Sequence, residues 1–131
     1  MAVAGDLERN SSFPRRLASA RRARRFVRSS VSSYLPPEEL DTVELLTSEV
    51  VTNAVIHAES SPVVEVAAEG GTVRVSVEDN GASWPMIKEV PHTATSGRGM
   101  ALVDLMADAW GVERLDDDAK RVWFEVRGPV E

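Results

Sequence analysis

The sequence predicts an α+β fold: a two-layer sandwich with helices on one face of a mixed or antiparallel sheet. Two stretches, "TVRVSVED" and "RVWFEVR", alternate apolar and polar residues, which is the period of a half-buried strand. Gly70-Gly71 joins the first of these to the preceding "VVEVAAE" as a two-residue turn, so those neighbours form an antiparallel hairpin. The helical segments gather on one side of these hairpin-linked strands, and that grouping is the pattern of an α+β layered sandwich.

The elements follow in order. Residues 7–13 form a short edge strand that ends at Pro14. A helix is expected from about Pro14 to Ser33, with Pro14 near its first turn and Leu17, Ala20, Ala23, Val27 and Val31 as its apolar stripe. "YLPPEEL" breaks it, and a second helix starts near Pro37–Glu38 with acidic residues in its first turn. That helix runs to about Ala58, where "ESSP" stops it. Then come the two hairpin strands, and a long loop over 80–96 that contains Pro85 and Pro91. A helix from about Gly97 to Asp108 follows, and two last strands near 110–115 and 121–127 flank "DDDAK". In the final strand Val122, Phe124 and Val126 share one phase.

Composition narrows the function. The 131 residues make one domain, 1–131, long enough for a hydrophobic core. There is no apolar run of about 18 residues for a membrane span. "MAVAGDLERN" lacks the basic and apolar regions of a signal peptide, so a cytoplasmic protein is expected. The absence of cysteine excludes disulfides and thiolate metal sites, and two isolated histidines make a poor zinc site. The net charge of −6 is unevenly spread. Residues 1–35 hold Arg9, Arg15, Arg16, Arg21, Arg22, Arg24, Arg25 and Arg28 against Asp6 and Glu8, whereas the remainder holds seven basic and nineteen acidic residues. The arginines read either as a solvated helix face or as a surface for an acidic partner.

Three features carry chemistry. In "EVVTNAVIHA", Glu49, Asn53 and His57 recur every fourth residue and so share one face of a largely apolar helix. Such polar groups face solvent at a helix edge or line a cavity that needs them. Asp79 continues the phase of Val73, Val75 and Val77, which aims its carboxylate at the core, unless the strand stops at Glu78 and Asp79-Asn80-Gly81 is an ordinary turn. In "TSGRGMALV", Gly97 and Gly99 precede an apolar helix, an arrangement that can hold an anion on backbone N–H groups or be a plain loop–helix junction. No GxxxxGK[ST] motif is present, so a phosphate site here is not a P-loop.

Taken in order, these features resemble the GHKL (Bergerat-type) nucleotide-binding fold of gyrase and histidine-kinase ATPase domains. Within it, the chain is most similar to the small stand-alone anti-sigma-factor serine/threonine kinases of bacteria. "SEVVTNAVIHA" matches that family's N box, and "SGRGMALVDLMADAWGV" matches its second glycine box and the helix that follows. The resemblance implies ATP and Mg²⁺ as ligands. It implies Asn53 as the magnesium ligand, Glu49 as general base, and Asp79 as acceptor for the adenine amino group. Gly81 would allow close approach of the base, Gly97, Arg98, Gly99 and Met100 would cradle phosphates, and residues 82–96 would be the ATP lid. It assigns His57 no catalytic role. The implied partners are a sigma factor and a small antagonist protein, with a homodimer by analogy.

Two departures from the family pattern stand out. Ser83 occupies the position of the second glycine in D-x-G-x-G, and Arg121 is expected where the family places a small hydroxyl residue beside the adenine pocket. Both favour a first alternative, a catalytically weak or inactive interaction module that sequesters a sigma factor or regulator. A second alternative is a nucleic-acid binder using the arginine-rich first helix, against which the acidic remainder of the chain weighs. A third, a detached histidine-kinase catalytic domain, lacks a phosphoacceptor histidine segment.

Overall fold

The computed structural model describes residues 7–57, 60–80, 95–115 and 119–129, with only the backbone of 95–99. The elements are β1 (Leu7–Ser12), α1 (Ser19–Val31), α2 (Pro37–His57), β2 (Val63–Glu69), β3 (Thr72–Asp79), α3 (Thr95–Met106), β4 (Ala109–Arg114) and β5 (Lys120–Arg127). The strands form one sheet in the order β1-β2-β3-β5-β4, and every neighbouring pair is antiparallel. The mixed-sheet option is thereby removed.

Strand periodicity builds the core. Val64, Val66 and Ala68 of β2, Val73, Val75 and Val77 of β3, and Val122, Phe124 and Val126 of β5 are all buried on the helix-facing side. Against them lie Val43, Leu46, Val50, Val51 and Ala54 of α2, with Ala20, Ala23, Val27 and Val31 of α1 and Met100 and Val103 of α3. Each fully buried valine or leucine contributes about 1.5–3 kcal/mol relative to its exposed state. The β2–β3 turn has Gly70 at φ 61, the left-handed region that glycine enters without strain.

The first helix starts later than the expected Pro14. The Pro14 carbonyl accepts from Arg16 N at 2.8 Å and from the Ser19 hydroxyl at 2.6 Å, and Arg16 O accepts from Ser19 N at 2.9 Å. These bonds wind residues 14–18 into tight turns, so Leu17 is 63% exposed and drops out of the apolar stripe. The second helix begins as expected at Pro37, with Leu40 N donating to Pro36 O at 3.0 Å and Glu38 and Glu39 in the first turn.

Chain direction decides what meets at each end of the sheet. Helix α2 enters near the β2–β3 turn, where Gly128 N donates to Gly71 O and Gly128 lies against Leu35 and Pro36. It leaves at the opposite end, where Asn80 N donates to the Ser60 hydroxyl at 3.1 Å. Helix α3 ends by the β2–β3 turn too, since Asp108 N donates to Glu125 O and the Asp108 carboxylate accepts from Arg127 N. It packs on α2 and runs the other way. Twelve residues of helix span about 18 Å, close to the rise of the strand from Glu125 back to Lys120. The N-terminus of α3, the last turns of α2 and the end of β3 therefore share one end of the domain.

Candidate functional site

Strand β3 continues through Asp79, whose side chain points inward and is 4% exposed as a residue. Register places it opposite Lys120, and Lys120 Nζ donates to Asp79 Oδ1 at 2.7 Å. Lys120 is itself buried, at 6% exposure. Arg121, expected at this position, points to the other face of the sheet, where it pairs with Glu113 at 3.1 Å and Glu78 at 3.6 Å. The reason is strand alternation. Val122, Phe124 and Val126 face the core, so the residue in phase with them at the start of β5 is Lys120. That phase was visible in the sequence, but the partner of Asp79 was not, because 41 residues separate the two.

On α2 the polar stripe grades from half-buried to exposed. Glu49 and Asn53 are half-buried, and His57 is exposed. Asn53 Oδ1 is buried and receives no hydrogen bond among the described residues. An unpaired buried acceptor carries a desolvation cost, so such a group in a native fold has a reason to be there, and a bound water, ion or ligand supplies one. Thr47 Oγ1 also has no hydrogen-bond partner among the described residues, but Thr47 is fully buried in the core-facing stripe of the helix.

Helix α3 begins at Thr95, two residues before the expected Gly97, so the glycines sit inside its opening turns and residues 95 and 96 belong to the helix rather than to a lid. In an α-helix the first four N–H groups have no intrahelical acceptor. Among the described residues these are the N–H groups of Thr95, Ser96 and Gly97. The N–H groups of Arg98, Gly99 and Met100 fall in the bonded part of the pattern, as Leu40 N does in α2, and the Met100 side chain is core, 1% exposed. Gly81, Ser83 and the rest of the proposed lid up to residue 94 lie outside the described residues.

The structure thus brings Asn53, Asp79 and the opening of α3 to one end of the helix-covered face. A shallow hollow lined by Asn10, Val63, Glu65, Ser76, Glu78 and Arg121 lies on the opposite face of the sheet and is separate from this site. Among the described residues no group of three or more His, Asp or Glu could hold a metal ion. A magnesium ion, which keeps several waters, fits a site with one amide oxygen better than a dedicated carboxylate cage.

The arginines of α1 divide. Arg28 hydrogen-bonds Glu44 and lies 3.7 Å from Asp41, and its guanidinium is held above its ordinary range first by that hydrogen bond and then by the Glu44 charge. Arg9 donates to the Ser30 hydroxyl at 3.2 Å and lies over the Phe26 ring at 5.4 Å. Arg15, Arg16, Arg21, Arg22 and Arg25 remain exposed. Among the described residues no helix is long and apolar enough to cross a membrane.

Comparison with known proteins agrees with this fold. The family described as "Histidine kinase-like ATPase domain" matches residues 13–126. An anti-sigma F factor of Clostridium perfringens is 30% identical over 115 residues, covering 74% of this chain and 82% of the relative. An anti-sigma F factor of Anoxybacillus flavithermus is 31% identical over 101 residues, covering 63% of this chain and 69% of the relative. Among solved structures, the RsbU and RsbW domains of Rv1364c from Mycobacterium tuberculosis share the fold with a TM-score of 0.70 at 20% identity, over 92% of this chain. Full-length ShkA in complex with AMPPNP shares it with a TM-score of 0.55 at 21% identity, over 92% of this chain. The chain spans 32% of the length of each of these two structures. The chain belongs to the histidine kinase-like ATPase domain family and, within it, resembles the anti-sigma factors.

Proposed function

We propose that this protein is an ATP-binding regulator of the anti-sigma-factor kinase type, which phosphorylates a serine or threonine of a small antagonist protein and binds a sigma factor. The observation that carries this reading is the Asn53 amide oxygen, buried without a hydrogen-bond partner among the described residues and one helical turn after Glu49. Asn53 would hold Mg²⁺ through that oxygen, and the ion when bound neutralises phosphate charge.

Each remaining residue has a task. Glu49, half-buried on the same helix face, takes the proton of the attacking hydroxyl or orients it. The hydroxyl oxygen bonds to the γ-phosphorus of ATP, the bond to the bridging oxygen breaks, and ADP leaves with that electron pair. Asp79 accepts from the adenine amino group, and Gly81 lets the base approach the backbone. The N–H group of Gly97 meets phosphate, helped by those of Thr95 and Ser96 and by the positive end of the helix, while Arg98, Gly99 and Met100 shape the same turn.

The exposed arginines at the start of α1 suit an acidic partner surface and speed its encounter. A homodimer and a cytoplasmic location follow from the analogy alone. The experiment that tests this reading is incubation with Mg·ATP and candidate antagonist proteins, followed by mass spectrometry for phosphoserine and phosphothreonine. Phosphate on an antagonist supports the kinase. ATP binding without any phosphorylated antagonist favours the interaction module.

A further inference from the structure

We propose that Lys120 reads the nucleobase: its ammonium, held on Asp79, donates to a purine ring nitrogen beside the amino group that Asp79 accepts. This rests on the reading of Asp79 as the base acceptor. Three observations on this chain lead to it.

The first is position. Lys120 lies directly opposite Asp79, with Nζ 2.7 Å from Oδ1, and its side chain is 7% exposed against 2% for Asp79. A base edge hydrogen-bonded to this carboxylate lies beside the ammonium. The second is chemistry. An ammonium has three donors and no acceptor, whereas a carboxylate only accepts. Side by side they match an edge with a donor next to an acceptor, as adenine presents in its 6-amino group and N1. The third is cost. A buried ion pair is a weak source of stability compared with an apolar pair of similar volume. The residues in phase with this pair, Val77 and Val122, are apolar and buried, so packing at this level of the sheet is satisfied by apolar side chains. A charged pair at the mouth of the site is explained by what it binds.

The low local dielectric strengthens such a contact. Lys120 is thus a specificity-determining residue that supplies from a side chain the donor to N1. The test uses ATP and 1-deaza-ATP, which keeps the amino group and lacks the N1 acceptor, each with Mg²⁺. Binding is measured on the full chain, on Lys120→Met and on Lys120→Gln, with thermal unfolding of each. The wild type is expected to bind 1-deaza-ATP at least about tenfold more weakly than ATP, the size of one hydrogen bond to a charged group. In Lys120→Met that gap should shrink to less than about threefold, because ATP loses the same contact. Lys120→Gln keeps a neutral donor and should fall between; it carries the test if Lys120→Met does not fold.

Equal binding of the two nucleotides by the wild type overturns the proposal. So does a gap that persists unchanged in the variants, or tighter ATP binding by Lys120→Met, which would make the lysine an obstruction. A wild-type chain that binds neither nucleotide overturns the reading of the whole site, and this proposal with it.

Discussion

Asp79 and Lys120 face each other across the β3–β5 pair, 2.7 Å apart between carboxylate oxygen and ammonium nitrogen, with both side chains less than a tenth exposed. Removing one partner leaves the other charge buried without its partner across the strand pair. Asp79→Asn is therefore expected to lower the unfolding free energy by about 3–5 kcal/mol in urea denaturation. Glu78→Gln is the control one residue away. Its carboxylate is 42% exposed and 3.6 Å from Arg121, and its loss should cost less than about 1 kcal/mol. Equal costs for the two would contradict the burial of the pair.

The β2–β3 turn gives a cleaner backbone test. Gly70 has φ 61 with open space around its Cα, so a methyl group there meets no atom and the cost is conformational alone. Gly70→Ala should destabilise by about 1–2 kcal/mol. Gly71 also has open space but no positive φ, and Gly71→Ala should be nearly neutral. The two variants are compared by thermal unfolding.

On the outer face, Gly111 lies under the Trp123 indole, and a Cβ there would come within 2.9 Å of two ring atoms. The ring is also covered by the Arg74 guanidinium at 4.0 Å, so it must shift to make room. Gly111→Ala should cost about 1–3 kcal/mol and change the near-ultraviolet circular dichroism. In a Trp123→Leu background the same change should cost much less, since the two sites are coupled.

The strands were legible because their signals are local. Alternation in 72–79 and 121–127, with Gly70-Gly71 between β2 and β3, specifies the inner face without knowledge of any distant contact. The start of α1 was not legible, because the turns over 14–18 depend on which donor reaches the Pro14 carbonyl first, and a stripe that included Leu17 fitted the helical period equally well. At the site, Asp79 stands out as a carboxylate in phase with core-facing valines, and Asn53 as part of a polar stripe on a largely apolar helix. Lys120 does not, since its pairing with Asp79 depends on β3–β5 register, and a strand start placed one residue too late puts Arg121 in its position.

Phosphoryl transfer and nucleotide binding should separate at Glu49. Glu49→Gln keeps size and hydrogen bonding but cannot take a proton. It should reduce phosphorylation of an antagonist by about a hundredfold or more while Mg·ATP affinity stays within about threefold. If affinity and transfer fall together, Glu49 is a binding residue instead.

The measurement that tests the central claim most directly is calorimetric titration of Mg·ATP into the wild type and Asn53→Ala, with the unfolding temperature of each taken without nucleotide. The Asn53 amide oxygen accepts no hydrogen bond among the described residues, so its removal should leave that unfolding temperature unchanged or slightly raised. Binding by the wild type, with affinity at least about tenfold lower in the stable variant, is the predicted result. Equal affinity in both chains, or a variant that unfolds well below the wild type, would contradict it, because Asn53 would then serve the fold rather than a nucleotide.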